Sequence, residues 1–300
     1  MYPPYTEFSA RRRLLLALAS LPALSACVTG ELPAPFMPPQ QRFAELERGV
    51  GGRLGVYVLN TGNGTELAYR DNERFPLAST FKVMLGGAIL ERSRYEAGLL
   101  QQLVDYRRDD LVTYSPQTEK KLATGMTVAE LCAAAIGYSD NSAANLLMKL
   151  LGGPAAVTAY ARSIGDQEFR LDRWETELNS AVPGDLRDTT TPRAMATSLK
   201  KLVLGDALPK AERELLKHWL ISNTTGANKI RAALPPNWVV GDKTGGADYG
   251  STNDVAVIWP PGKSPLIIAL YYTQDKKDAP LRDGMLVAAT QIILSVMRPS

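Results

Sequence analysis

Apolar and polar positions along this chain switch period twice, from strand-like alternation to helical spacing and back. Phe43, Leu46, Glu47 and Val50 share one helical face just after Pro38-Pro39, which predicts an amphipathic opening helix. Residues 53–61 then alternate, Gly62-Asn63-Gly64 offers a turn, and alternation resumes over 65–70, the pattern of a β-hairpin. From Thr80 to about Ser222 the spacing is helical, most clearly over 81–90, 128–135, 143–151, 192–204 and 212–220. Strand-like runs return at 238–244, 255–259 and 266–273, and an apolar helix over about 285–297 closes the chain. Strands at both ends with helices between them predict an α/β sheet layer interrupted by an inserted helical domain. The two parts share a seam, and clefts favour such seams.

At 300 residues, with 45% hydrophobic and 22% charged positions, the composition is that of an ordinary globular protein. A net charge of +3, without a basic stripe interleaved with aromatics, points away from nucleic acid as a partner. The first 27 residues differ from the rest. Arg11-Arg12-Arg13 precede a short apolar run that ends in Leu24-Ser25-Ala26-Cys27, which describes an export signal over 1–27. That run is too short to cross about 30 Å of hydrocarbon as a helix. The paired arginines also fit a twin-arginine export route. Leu-Ser-Ala-Cys resembles the bacterial lipobox, so Cys27 is expected to carry lipid; the other reading is an ordinary signal that happens to contain a cysteine. Residues 28–40 hold Pro33, Pro35, Pro38 and Pro39 and read as an extended, semi-rigid tether. The expected location is periplasmic, with membrane contact only through that anchor. Cys132, inside an apolar run, reads as a small core residue, and no structural disulfide is expected.

Candidate chemistry lies in four short polar motifs: Ser79-Thr80-Phe81-Lys82, Ser139-Asp140-Asn141, Glu175-Thr176-Glu177-Leu178-Asn179 and Lys243-Thr244-Gly245. A lone SxxK is expected about once by chance in such a chain, but all four in this order in fewer than roughly one chain in ten thousand. Ser79 and Lys82 are three apart at the start of a helix, so their side chains share a face. A serine hydroxyl needs a base within reach, and burial beside another lysine lowers an amine's pKa enough to serve. Each motif also has a structural reading. Ser79 alone reads as a helix cap, Asp140 as the N-cap of the next helix, Glu175 as a solvated loop carboxylate, and Lys243-Thr244-Gly245 as an exposed strand end with a turn. Competing designs fail on composition. His218 is the only histidine, which rules out HExxH zinc sites, and no GxSxG elbow or CxxC pair occurs.

On these motifs the chain resembles the class A serine β-lactamases over about residues 40 to 298. The resemblance implies an α/β (α+β) fold: an antiparallel-type sheet flanked by N- and C-terminal helices, with an inserted all-helical domain and the active site at the seam. It divides residues 41–298 into an α/β part, 41–77 and 223–298, and a helical part, 78–222, which includes an omega loop at 173–188. It implies a small β-lactam as partner, no cofactor or metal, and a monomer. Ser79 would be the nucleophile, with Lys82 or Glu175 as acylation base and Ser139 as proton relay. Glu175 and Asn179 would hold the hydrolytic water, and Arg173 would pair with Asp188 to close the loop. Tyr114 would form an aromatic wall and Asn141 would orient the substrate amide. Lys243, Thr244, Ser139 and Lys229 would grip the substrate carboxylate, with Gly245 permitting close backbone approach, while the N–H of Gly246 would join that of Ser79 in an oxyanion hole. Three positions depart from common family patterns. Lys229 stands where some members have arginine, Ala78 and Ala247 stand where the disulfide-bearing carbapenemase branch has cysteines, and Thr176 replaces a frequent proline after a cis peptide bond. A cell-wall DD-peptidase and a β-lactam sensor share the acylation half of this chemistry; only the loop carrying Glu175 separates them from a hydrolase.

Overall fold

The computed structural model describes residues 37–297; the signal segment, Cys27 and residues 28–36 of the tether lie outside the described residues. Helix α1 (Pro39–Val50) starts two residues before the expected boundary, so Pro39 and Gln40 belong to its first turn and not to the tether. Proline is well suited there, because the first helical N–H groups have no intrahelical partner to lose. The hairpin follows as β1 (Arg53–Asn60) and β2 (Glu66–Tyr69), and then the two-residue strand β3 (Phe75–Pro76).

The inserted part holds α2 (Phe81–Ser93), α3 (Val128–Gly137), α4 (Asn141–Leu151), α5 (Pro154–Ser163), α6 (Pro192–Val203) and α7 (Lys210–Ile221). Two-residue strands β4 (Leu103–Val104) and β5 (Met126–Thr127) pair with each other, and β6 (Thr189–Thr190) pairs with β3. The chain returns to the sheet through β7 (Val239–Ala247), β8 (Ser251–Trp259) and β9 (Leu266–Thr273), and ends in α8 (Asp283–Val296).

The five long strands form one sheet in the order β2-β1-β9-β8-β7, and every pairing is antiparallel. Both faces are covered, and the period of two in the strands sorts their side chains between two cores. Tyr57, Val255, Val257, Ile267, Ala269 and Tyr271 face the inserted helices. Leu54, Val56, Val58, Ala256, Ile258, Ile268 and Leu270 face the other way, onto Phe43 of α1 and Met285, Leu286 and Ile293 of α8. Burial on both sides is why β9 and the second half of β8, 255–259, read as near-continuous apolar runs. Cys132 is buried and free among the described residues, and burial raises its thiol pKa, as suits a core residue.

Candidate active site

Ser79 lies in a 3₁₀ turn (Ala78–Thr80) that leads directly into α2. Its side chain caps no helix end, so the cap reading fails. Lys82, one turn on, is fully buried and donates to Ser79 Oγ at 3.0 Å, to the Ser139 carbonyl at 2.8 Å and to Asn141 Oδ1 at 2.6 Å. Glu175 Oε1 stands 3.0 Å from the same nitrogen. An ammonium has three protons and here meets four oxygens. Burial lowers the Lys82 pKa, and the charges of Glu175 and Asp140 only partly restore it.

Asp140 acts as the cap of α4 that its sequence context suggested. It is fully buried and accepts from Ala143 N at 2.8 Å and from Gln117 N and Thr118 N at 2.9 Å each. That anchorage fixes its neighbours. Ser139 takes a left-handed backbone (φ 58°) and turns its hydroxyl toward Lys243 Nζ at 3.1 Å. Asn141 opens α4 with its amide donating to the Thr113 carbonyl at 2.8 Å while its oxygen receives Lys82. One tripeptide thus serves both readings.

Glu175 is not a solvated carboxylate; the residue is only 4% exposed. Asn179 Nδ2 donates to its Oε2 at 2.6 Å. Asn145 grips the backbone beside it twice, accepting from Glu175 N at 3.0 Å and donating to Glu175 O at 2.9 Å. The Glu175–Thr176 peptide is cis, as the resemblance implied. The loop is closed at its base by Arg173 Nε on Asp188 Oδ2 at 2.6 Å, while Asp188 Oδ1 accepts from the backbone of Asp172 and Arg173 at 2.7 and 3.0 Å.

Lys243-Thr244-Gly245 does not end its strand. β7 continues through Ala247, with Gly245 opposite Asn253 and Gly246 opposite Thr252. A Cβ on Gly245 would stand 3.1 Å from Ala78 Cβ and 3.2 Å from both the Leu77 carbonyl and Asn253 Nδ2. Glycine therefore lets the edge strand approach the turn that carries Ser79. Asn253 uses that opening to donate to the Pro76 and Leu77 carbonyls at 2.9 and 3.2 Å. Lys243 is fully buried, and its pKa falls to about 7, through burial first and then the charge of Lys82, against the pull of Asp242, Asp254 and Glu175. Thr244 Oγ1 lies 2.5 Å from Thr225 Oγ1.

These groups converge on a cleft of about 620 Å3 at the seam. The inserted part lends Ser79, Tyr114, Ser139, Asn141 and Asn179; the sheet part lends Lys229, Thr244, Gly245 and Gly246. Tyr114 is 57% exposed, with a left-handed backbone, at the cleft edge. Lys82, Glu175 and Lys243 lie beneath these lining residues. Lys229 reaches the cleft, but its ammonium is tied to Asp283. Sequence reasoning missed Asn145, Asn253, Thr225 and Asp283. Only Asn145 left a signal: it sits four residues after Asn141, on the same helical face.

A serine hydroxyl, a buried amine and a buried carboxylate at one cleft are the parts of an acylating serine hydrolase with provision for water attack. Comparison with known proteins narrows that class. The model of the β-lactamase enzyme family matches residues 38–295. β-Lactamase AST-1 of Nocardia asteroides is 50% identical, over 98% of this chain and 98% of its own length. The carbapenem-hydrolyzing β-lactamase KPC of Klebsiella oxytoca is 51% identical, over 95% and 96%. A crystal structure of a β-lactamase from Desulfarculus baarsii superposes with a TM-score of 0.84 at 53% identity, covering 86% of this chain and 96% of that one. The chain belongs to the β-lactamase enzyme family, as the class A serine resemblance implied.

Proposed function

We propose that this protein hydrolyses the β-lactam ring of penicillin- or cephalosporin-type antibiotics through an acyl-enzyme on Ser79, and so confers resistance to them. Lys243, Thr244 and Lys229 hold the substrate carboxylate, and Asn141 orients its side-chain amide. Ser79 attacks the ring carbonyl. Lys82 takes its proton: once neutral, the amine keeps two donors for Ser139 O and Asn141 Oδ1 and turns its lone pair to the Ser79 hydroxyl. The proton that Lys82 takes makes good the one that Ser139 gives to the leaving nitrogen, so Glu175, 3.0 Å from Lys82, stays available as the base of the second step. The N–H groups of Ser79, at a helix start, and Gly246, on an edge strand, stabilise the oxyanion. Ser139 passes a proton to the leaving nitrogen, with Lys243 beside it. Glu175 then activates a water placed with Asn179, and the ester is cleaved.

The observation that carries the hydrolytic half is the burial of Glu175 between Lys82 and Asn179, which a carboxylate without a task there would not justify energetically. Burst kinetics with a chromogenic cephalosporin test it. Sustained turnover by wild type, with trapped acyl-enzyme in Glu175→Ala, supports the reading. One equivalent of product followed by silence in wild type overturns it in favour of a DD-peptidase or sensor. The sequence of residues 1–27 supports export, and Cys27 supports a lipid anchor with 28–38 as spacer. Mass spectrometry of the mature N-terminus reads this directly: an acylated Cys27 is the expected species, and a mature chain that lacks Cys27 overturns the anchor. A monomer suffices for this chemistry, since every group named above comes from one chain.

A further inference from the structure

Tyr114 stands at the cleft edge with most of its ring open to solvent and its backbone in the left-handed region (φ 65°). A bulky aromatic residue rarely adopts that conformation, and it persists only where the surroundings impose it. Residues 112–115 belong to no helix or strand that could do so. They are held instead by the first two residues of α4. Asn141 donates from its N–H to the Tyr114 carbonyl at 3.0 Å and from its side-chain amide to the Thr113 carbonyl at 2.8 Å. Ser142, fully buried, accepts from the Val112 N–H at 2.8 Å and lies 2.6 Å from the hydroxyl of Ser115. Ser115 in turn donates to the Val112 carbonyl at 2.7 Å.

Proton counting gives this cluster one direction. A carbonyl only accepts, so the Ser115 proton goes to Val112 O, and the proton between the two hydroxyls comes from Ser142. The bonds close a ring that runs from Val112 N–H to Ser142, on to Ser115 and back to Val112 C=O. Every donor in it is used, and each bond polarises the next in the same sense. We propose that Ser142 is a positioning residue for substrate recognition: the ring clamps residues 112–115 onto α4 and holds Tyr114 in its strained setting before a substrate arrives. This rests on the reading of Tyr114 as a wall of the substrate site. A wall already in place binds without the cost of being ordered by the ligand.

Ser142→Ala removes the middle of the ring and leaves the contacts of Ser79, Lys82 and Glu175 in place. In steady-state kinetics with a chromogenic cephalosporin, KM rises about threefold to tenfold while kcat stays within about twofold. Hydrogen exchange at the Val112 N–H, slow in wild type, becomes faster. Ser142→Thr keeps the hydroxyl and returns KM to within about twofold of wild type. Ser115→Ala opens the ring at another point and raises KM in the same sense, so it decides the matter if Ser142→Ala does not fold. In a Tyr114→Ala background the loss of the Ser142 hydroxyl no longer changes KM. An unchanged KM in both alanine variants overturns the proposal. A rise of equal size in the Tyr114→Ala background also overturns it, because the effect would then run through Asn141. Absence of turnover by wild type overturns the hydrolase reading itself, and this inference with it.

Discussion

Lys82 and Glu175 meet 3.0 Å apart with both side chains wholly withdrawn from water. A buried ion pair is a poor device for stability, because desolvation offsets much of the attraction. In the proposed mechanism its worth is chemical: it sets a base beside the nucleophile and a second base facing the open side of the acyl-enzyme. Glu175→Gln retains an oxygen for Asn179 but no basicity. Acylation by a penicillin is expected to proceed within about tenfold of wild type while deacylation falls by at least about a hundredfold. Stopped-flow acylation rates and mass spectrometry of the trapped ester check both numbers. Equal loss in both steps would make Glu175 a base for acylation as much as for deacylation.

Lys243 makes the free enzyme sensitive to pH in the neutral range. Its pKa is lowered to about 7, so the ammonium is present below that pH and lost above it. The kcat/KM profile for a carboxylate-bearing substrate should show a basic limb near pH 7, carried by KM. Lys243→Arg, whose guanidinium stays charged, should shift that limb upward. Linkage gives a second readout. An unfolded chain keeps this proton up to about 10.5, so between pH 7 and that value the unfolded state binds more protons. The contribution of this group to stability therefore rises with pH across the window and is least below pH 7. A thermal midpoint whose pH dependence is the same in Lys243→Met as in wild type would contradict it.

The elements that sequence made legible are those with a regular apolar period. β9 has the expected bounds, and α2, α3, α6, α7 and α8 differ from expectation by at most a few residues at their ends. α5 was not singled out; it is short, and its buried face is only Pro154, Val157, Tyr160 and Ala161. β7 was cut short at Thr244 because Gly245-Gly246 resembles a turn. In the fold the ladder to β8 needs only backbone groups, and packing against Ala78 leaves a side chain at 245 little room. The side chains proposed as catalytic were legible as motifs. Their partners were not, because Lys229 and Asp283 lie 54 positions apart and Asn253 and Leu77 176, without a local pattern to join them.

The clasp of the omega loop is open to a direct test. Arg173 is 17% exposed and Asp188 1%, and Asp188 also carries the backbone of residues 172 and 173. Arg173→Ala leaves a buried carboxylate without its cation. The cost is about 3 kcal/mol, a fall in Tm of about 6–10 °C for a chain of this size. Because the loop carries Glu175 and not Ser79, deacylation should suffer more than acylation. Calorimetry and pre-steady-state kinetics together check this; a stable variant with intact deacylation would remove the clasp from the catalytic account.

Asn145 touches neither the nucleophile nor the carboxylate of Glu175, yet it holds the peptide groups on both sides of that residue's Cα. Asn145→Ala leaves a part-buried N–H and C=O without those partners, at about 1–3 kcal/mol, and frees the backbone that aims Glu175. The expected kinetic signature is a fall in kcat of about tenfold or more through slower deacylation, with acylation by the same substrate little altered. Asn145→Asp is the sharper probe. It keeps an acceptor for Glu175 N but replaces the amide donor to Glu175 O with an anion facing a carbonyl, so the loss should persist although size is conserved. Deacylation at the wild-type rate in both variants would show that the loop aims Glu175 without help from α4.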